Sequence, residues 1–157
     1  MKCDAPVIRE YERSDQERVV RFFAAVFGEL GHDFNLATKD RDLADIPGAY
    51  LAGGGVFLMA LEREEVVGTC AVRHLDEQTC ELKRFYVRQD RQRCGIGSAL
   101  IDRALAHARA GRWRRVRLDT TKKAKAAMSL FVRQGFVEIP RYNDDPYAQV
   151  FMEFRIG

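Results

Sequence analysis

The chain has 157 residues, 46% of them hydrophobic, which suits one domain over 1–157 with a sizeable core and is too little for two. Its 26 Lys and Arg residues stand against 23 Asp and Glu, a net charge of +3 that is too balanced to demand a nucleic-acid partner. No apolar run approaches the roughly 20 residues that span a bilayer, and the start, with Asp4, Arg9 and Glu10 close behind Met1, lacks the apolar stretch of a signal peptide, so no membrane partner is expected and the expected compartment is cytoplasmic.

Residues 7–11 read as a first strand. Ser14, with Glu17 three positions on, makes a capping-box pattern, and Val19, Val20, Phe22, Phe23, Val26, Phe27 and Leu30 recur at helical spacing up to Gly31. From 32 to 55 the periodicity is weak: a short helix over 38–44, then Pro47-Gly48 and Gly53-Gly54-Gly55, read as a variable segment over one end of a sheet. Residues 56–62 and 66–73 form a hairpin about Glu64-Glu65, and a turn at Asp76-Glu77 leads into a third antiparallel strand over 79–87. A helix over 98–110 and a strand over 115–120 complete a right-handed crossover. A helix over 124–134, a strand over 136–139, a polar loop over 140–147 and a strand over 149–155 finish the chain.

The cysteines, Cys3, Cys70, Cys80 and Cys94, show no CxxC spacing, and His32, His74 and His107 lie far apart. Free thiols are therefore expected, with neither a disulfide framework nor a metal site.

The most informative stretch is Gln92-Arg93-Cys94-Gly95-Ile96-Gly97, which places two glycines where a helix begins at Ser98. Glycine lets the backbone approach a ligand closely. The unpaired N–H groups of a first helical turn and the positive end of its dipole then favour a phosphate or pyrophosphate, with Arg91 and Arg93 adding charge.

With that turn, the preceding Glu81-Leu82-Lys83-Arg84-Phe85-Tyr86-Val87 and the later Leu130-Phe131 and Gly135-Phe136 in place, the chain resembles a GNAT (GCN5-related) family N-acetyltransferase. Gln92-x-x-Gly95-x-Gly97 matches the family's acyl-CoA loop, and the match covers about 56–155. The resemblance implies a single N-acetyltransferase domain of α/β (α+β) class: the acyl-CoA N-acyltransferase fold, a mixed, mostly antiparallel sheet of about seven strands with flanking helices. It implies acetyl-CoA as acyl-donor cosubstrate, with Phe85, Tyr86 and Val87 along its arm and Gln92, Arg93, Cys94, Gly95, Ile96, Gly97 and Ser98 at its phosphates. The backbone N–H of Val87 becomes the expected oxyanion donor.

An alkylammonium with a pKa near ~10 must lose a proton before it attacks. Glu81, six residues before Val87, matches the general-base glutamate of histone-acetylating members; alternatively it pairs with a cross-strand cation or with Lys83, or a water chain takes the proton. The tyrosine that many relatives use as acid is Phe131 here, and the asparagine often found seven residues earlier is Ala124, so Tyr142 or Tyr147 of the late loop is the substitute to consider. His74, Arg84, Arg141, Tyr142 and Asn143 are candidate acceptor contacts. Cys94 reads as a small side chain tolerated between phosphate-binding amides, and Lys122-Lys123-Ala124-Lys125 reads as either a solvated junction or a contact for the CoA 3′-phosphate.

The expected activity is acetyl transfer to a primary amine of a small molecule or amino acid by direct attack in a ternary complex, with a homodimer compatible. The alternatives are a protein N-terminal or lysine acetyltransferase, a CoA-binding sensor without turnover, and, from another class, a nucleic-acid-binding module.

Overall fold

Alternating apolar runs joined by short polar turns dictate a meandering sheet, and the computed structural model, which describes Cys3 and residues 5–157, has one seven-stranded sheet. Met1, Lys2 and Asp4 lie outside the described residues, and with Met1 and Asp4 so does part of the signal-peptide reading. The strands are β1 (Val7–Glu10), β2 (Val56–Glu62), β3 (Glu65–His74), β4 (Thr79–Val87), β5 (Arg115–Thr120), β6 (Val137–Ile139) and β7 (Val150–Arg155), in spatial order β1-β2-β3-β4-β5-β7-β6. Every neighbouring pair is antiparallel except β4 and β5, which are joined through helix α3 (Ile96–Ala110).

Side chains alternate across a strand, so the sheet has two distinct faces. Leu58, Ala60, Cys70, Val72, Cys80, Leu82, Val116, Leu118 and Met152 point to one face, where Leu100, Ile101 and Ala104 of α3 and Phe131 of α4 (Lys125–Gln134) cover them. Phe57, Met59 and Ala71 point to the other, under Val19, Phe23 and Val26 of α1 (Gln16–Leu30) and Leu43 of the short α2 (Arg41–Ala44). Each large apolar side chain buried in these layers stabilises the fold by roughly 1.5–3 kcal/mol. Beyond Ala71 the second face turns polar: Arg73, Glu81, Arg117 and Glu153 follow on β3, β4, β5 and β7.

Two expectations are corrected here. The turn before α1 is capped by Glu12 and Asp15 rather than by Ser14 and Glu17, with Asp15 Oδ2 accepting the Glu12 N–H at 2.8 Å. Asp15 prevails because it is fully buried and also takes two 2.8 Å hydrogen bonds from Arg9, contacts from a strand that local spacing does not reveal. The thiols are not all free: Cys3 is disulfide-bonded to Cys94, whose Cα lies 5.6 Å away across a separation of 91 residues, while Cys70 and Cys80 are free and buried. Burial pushes the Cys80 thiol up to about 12, and it stays protonated. The segment after α1 forms α2, a π-helical turn at Pro47–Leu51 and a 3-10 turn at Ala52–Gly54.

Candidate active site

The site is made by a strand pair that comes apart. Thr79, Cys80 and Glu81 of β4 lie opposite Arg115, Val116 and Arg117 of β5, and the pairing stops there, while β5 continues to Thr120 against β7 and β4 to Val87 against β3. Residues 82–87 therefore border an opening. The Arg88 N–H donates to Val67 O of β3 at 2.8 Å, and since successive N–H groups of a strand point to opposite sides, the Val87 N–H is directed into the opening.

At the end of β4, Gln92 donates to the Val87 carbonyl at 3.2 Å and starts the glycine turn. Arg93 (φ 64) and Gly95 (φ 79) have left-handed backbones, which aim successive amides the same way. The N–H groups of 93–98 have no acceptor among the described residues. Such a row at the start of a fifteen-residue helix fits a pyrophosphate. Space at Gly97 is tight, because a Cβ there would lie 3.0 Å from the side-chain ends of both Leu130 and Phe85, which would have to give way. Ser98 Oγ accepts from Gln134 of α4 at 3.1 Å, fixing the two helices at the turn. Arg93 is exposed beside it, whereas Arg91 is bound to Glu62 at 2.8 and 2.9 Å.

On the sheet face opposite α3, Glu81 is 1% exposed. Its Oε1 accepts from Arg73 Nε and pairs with Arg73 Nη2, both at 2.8 Å, and its Oε2 accepts from the Tyr142 hydroxyl at 2.7 Å. Burial, and then the adjacent negative charge of Glu81, push the Tyr142 phenol far up, so it is a firm proton holder. The Arg117 guanidinium covers the Tyr142 ring at 5.3 Å and donates to Glu153 at 3.0 Å. Nearer the opening, Asp119 Oδ2 accepts from Asn143 at 2.6 Å and faces Lys83 Nζ at 3.8 Å. Glu81, Tyr142 and Asn143 are thus brought together, and Arg73, Lys83, Arg117 and Asp119 join them. Arg73 was legible in principle, since it and Glu81 are equidistant from the turn at Glu77 and so face each other in the hairpin.

The other candidates are placed elsewhere. His74 packs on Trp113, on the α3 face of the sheet, because it pairs with Cys80 rather than with Glu81. The Tyr86 ring meets Phe23 and Phe27 of α1 edge-on, so only its backbone faces the opening, whereas Phe85 lies on the α3 side against Phe131. Phe131 is itself buried between Phe85 and Phe136. Tyr147 is 77% exposed and makes no ring contact among the described residues. Arg141 binds the carbonyls of Asn143, Asp145 and Ala148 and so shapes the late loop. Lys122 and Lys125 line a shallow groove along α4 with Met128, Ser129, Val132 and Arg133.

Arg84 sits on the bulge of β4 with φ 51. Its guanidinium grips Asp42 at 2.8 and 2.7 Å and Asp40 at 3.1 Å, and its carbonyl accepts from Thr69 Oγ1 at 2.7 Å. The clamp fastens the segment that includes α2 to the rim of the opening, with Tyr50 donating to Asp42 beneath it. Burial opposes the charge on Asp42, but the Arg84 hydrogen bonds outweigh it and hold the carboxyl below its ordinary value of 3.8; the Arg9 hydrogen bonds likewise lower Asp15. Carboxyls lowered by folding stabilise above their ordinary range and lose that contribution as pH falls through the folded values. Stability is therefore expected to drop below about pH 4, followed by urea unfolding across pH, and Asp42→Asn should flatten the drop.

A parallel pair that parts beside a glycine turn at a helix start defines an acyl-CoA-binding acyltransferase fold. The Acetyltransferase (GNAT) family model matches residues 14–136, and the chain belongs to that family. N-acetyltransferase 8 of Homo sapiens is 34% identical over 110 residues, 66% of this chain and 47% of that protein, so the chain spans about half the length of that relative. The acetyltransferase from Streptococcus agalactiae 2603 superposes with a TM-score of 0.87 at 27% identity, over 98% of this chain and 99% of its own. At 17% identity, the PaiA N-acetyltransferase from Thermoplasma acidophilum in complex with coenzyme A shares the fold, with a TM-score of 0.78 over 98% of this chain and all of its own.

Proposed function

We propose that the chain, as one domain, transfers an acetyl group from acetyl-CoA to the primary amine of a small molecule or amino acid by direct attack. The observation that carries this is the opening between β4 and β5 with the Val87 N–H on its rim, continuous with the unpaired amides of 93–98. Bound acetyl-CoA supplies an activated acyl carbonyl. The amides of 93–98, with Arg93 beside them, hold its phosphates, and Lys122 and Lys125, which line the groove along α4, receive a third phosphate. Phe85 walls the arm from the α3 side, so the acceptor enters from the face bearing Glu81.

The amine gives a proton to the Tyr142 oxygen as the Tyr142 proton passes to Glu81 Oε2, along the 2.7 Å hydrogen bond already in place. Its nitrogen then bonds to the acyl carbon, the Val87 N–H steadies the charge growing on oxygen, the nitrogen releases its second proton to solvent, and the carbon–sulfur bond breaks. With Phe131 on α4 no phenol stands there to protonate the sulfur, and solvent does so; a thiol of pKa about 8.5 leaves readily as thiolate.

Thiol release from acetyl-CoA across a panel of primary amines, beside calorimetric binding, tests the reading. Turnover on at least one amine supports it, and tight binding with no turnover on any would favour a sensor. Gly97→Val forces carbon into space already within 3.0 Å of Leu130 and Phe85, and is expected to weaken acetyl-CoA binding about 10–100-fold; unchanged affinity would remove the phosphate assignment.

A further inference from the structure

Among the described residues three cross-strand ion pairs line the polar face of the sheet, and they are not equivalent. Arg73–Glu81 and Arg117–Glu153 are closed by hydrogen bonds of 2.8 and 3.0 Å onto carboxylates that are almost fully buried. Lys83 and Asp119 come no closer than 3.8 Å, with the lysine side chain 23% exposed. Lys83 Nζ makes no hydrogen bond among the described residues, and Asp119 accepts one, from Asn143, on Oδ2 only. The two residues also lie two positions beyond the last paired residues, Glu81 and Arg117, and so on the same face, where they meet across the mouth of the opening.

A loose, partly hydrated ion pair is cheap to separate, whereas two buried charges left alone are costly. A ligand that enters between Lys83 and Asp119 is therefore tolerated best if it returns an opposite charge to each. We propose that the acceptor is a zwitterion, an amine whose own molecule carries a carboxylate close by, as in an α-amino acid. Lys83 receives the carboxylate. Asp119, held in place by Asn143, draws in the ammonium end and sets the nitrogen beside Tyr142 and Glu81. A simple amine leaves Lys83 without a partner, and an amino-acid amide does the same.

The inference rests on the acyl-transfer reading and narrows its acceptor. Its test compares, by thiol release from acetyl-CoA, the standard amino acids with their α-amides and with the amines formed by removing the carboxylate, in the wild type, Lys83→Met and Lys83→Arg. Wild-type kcat/KM is expected to favour the best amino acid over its amide and amine by about 10–100-fold, mainly through KM. Lys83→Met should shrink that ratio to near unity with acetyl-CoA affinity retained, and Lys83→Arg should restore part of it. Equal use of amide and amino acid by the wild type, or an undiminished ratio in Lys83→Met, overturns the zwitterion while leaving acyl transfer intact. No turnover on the whole panel with acetyl-CoA bound overturns both.

Discussion

Glu81→Gln is expected to lower kcat about 10²–10⁴-fold, the usual range for loss of a positioned proton acceptor, with acetyl-CoA affinity nearly unchanged. Glutamine keeps the shape of the side chain and can still accept from Arg73 Nε or from Tyr142, but it cannot take the proton that the Tyr142 hydroxyl passes on. The loss should be deepest at low pH, where less of an amine of pKa near ~10 is already neutral. Glu81 also has a structural part, because its buried carboxylate pairs with Arg73, whose side chain stays 38% exposed, so Glu81→Gln should lower the unfolding midpoint modestly as well. The pH profile separates the two: a flat loss across pH, or a stability loss with kcat intact, would leave Glu81 only a structural partner of Arg73. Tyr142→Phe interrupts the same route and should reproduce the shape of the profile.

Arg84→Ala is expected to cost about 3–5 kcal/mol of stability, the range for removing one partner of a buried charge pair. Asp40 and Asp42 would then share a small buried space with Lys39, the Asn35 N–H and the Tyr50 hydroxyl left to offset their charge. Arg84→Lys should recover part of this, since a point charge cannot bridge two carboxylates as the guanidinium fork does. Urea unfolding checks both, and a loss under about 1 kcal/mol for the alanine variant would mean the clamp contributes no more than a surface pair. Because the clamp secures the rim beside Val87, residual folded Arg84→Ala protein should also turn over poorly.

What was legible before the structure follows from the range of the interactions. The bounds of β2, β4 and β5 come from an apolar run in β2, from alternation in β5 and the start of β4, and from the flanking turns, and Gly31 and Gly135 end their helices in the left-handed conformation that glycine adopts without strain. The glycine turn is a local motif and was readable as such. Glu81 could be singled out, with a cross-strand cation among its readings. Arg73 as that cation required the hairpin register, and Tyr142 required the whole of β5 to β7 to be folded back, 61 residues on. The Arg84 clamp joins residues 42 and 44 apart, through a segment whose weak periodicity hid its role. Ser14 misled because a good local cap was outbid by a buried Asp15 bound to a neighbouring strand.

The Cys3–Cys94 bond divides the molecule in a way that the sheet does not. As a covalent graph, the path from Cys3 through β1 to β4 is a closed ring, and α3, β5, α4, β6 and β7 form a linear tail that leaves it at the glycine turn. The half that carries Glu81 is cyclic, the half that carries Tyr142 is open, and the two meet at the junction where the phosphates are to be held. Reductant therefore changes the topology of the protein as well as the state of two thiols, and measurements made with and without it concern two differently connected chains.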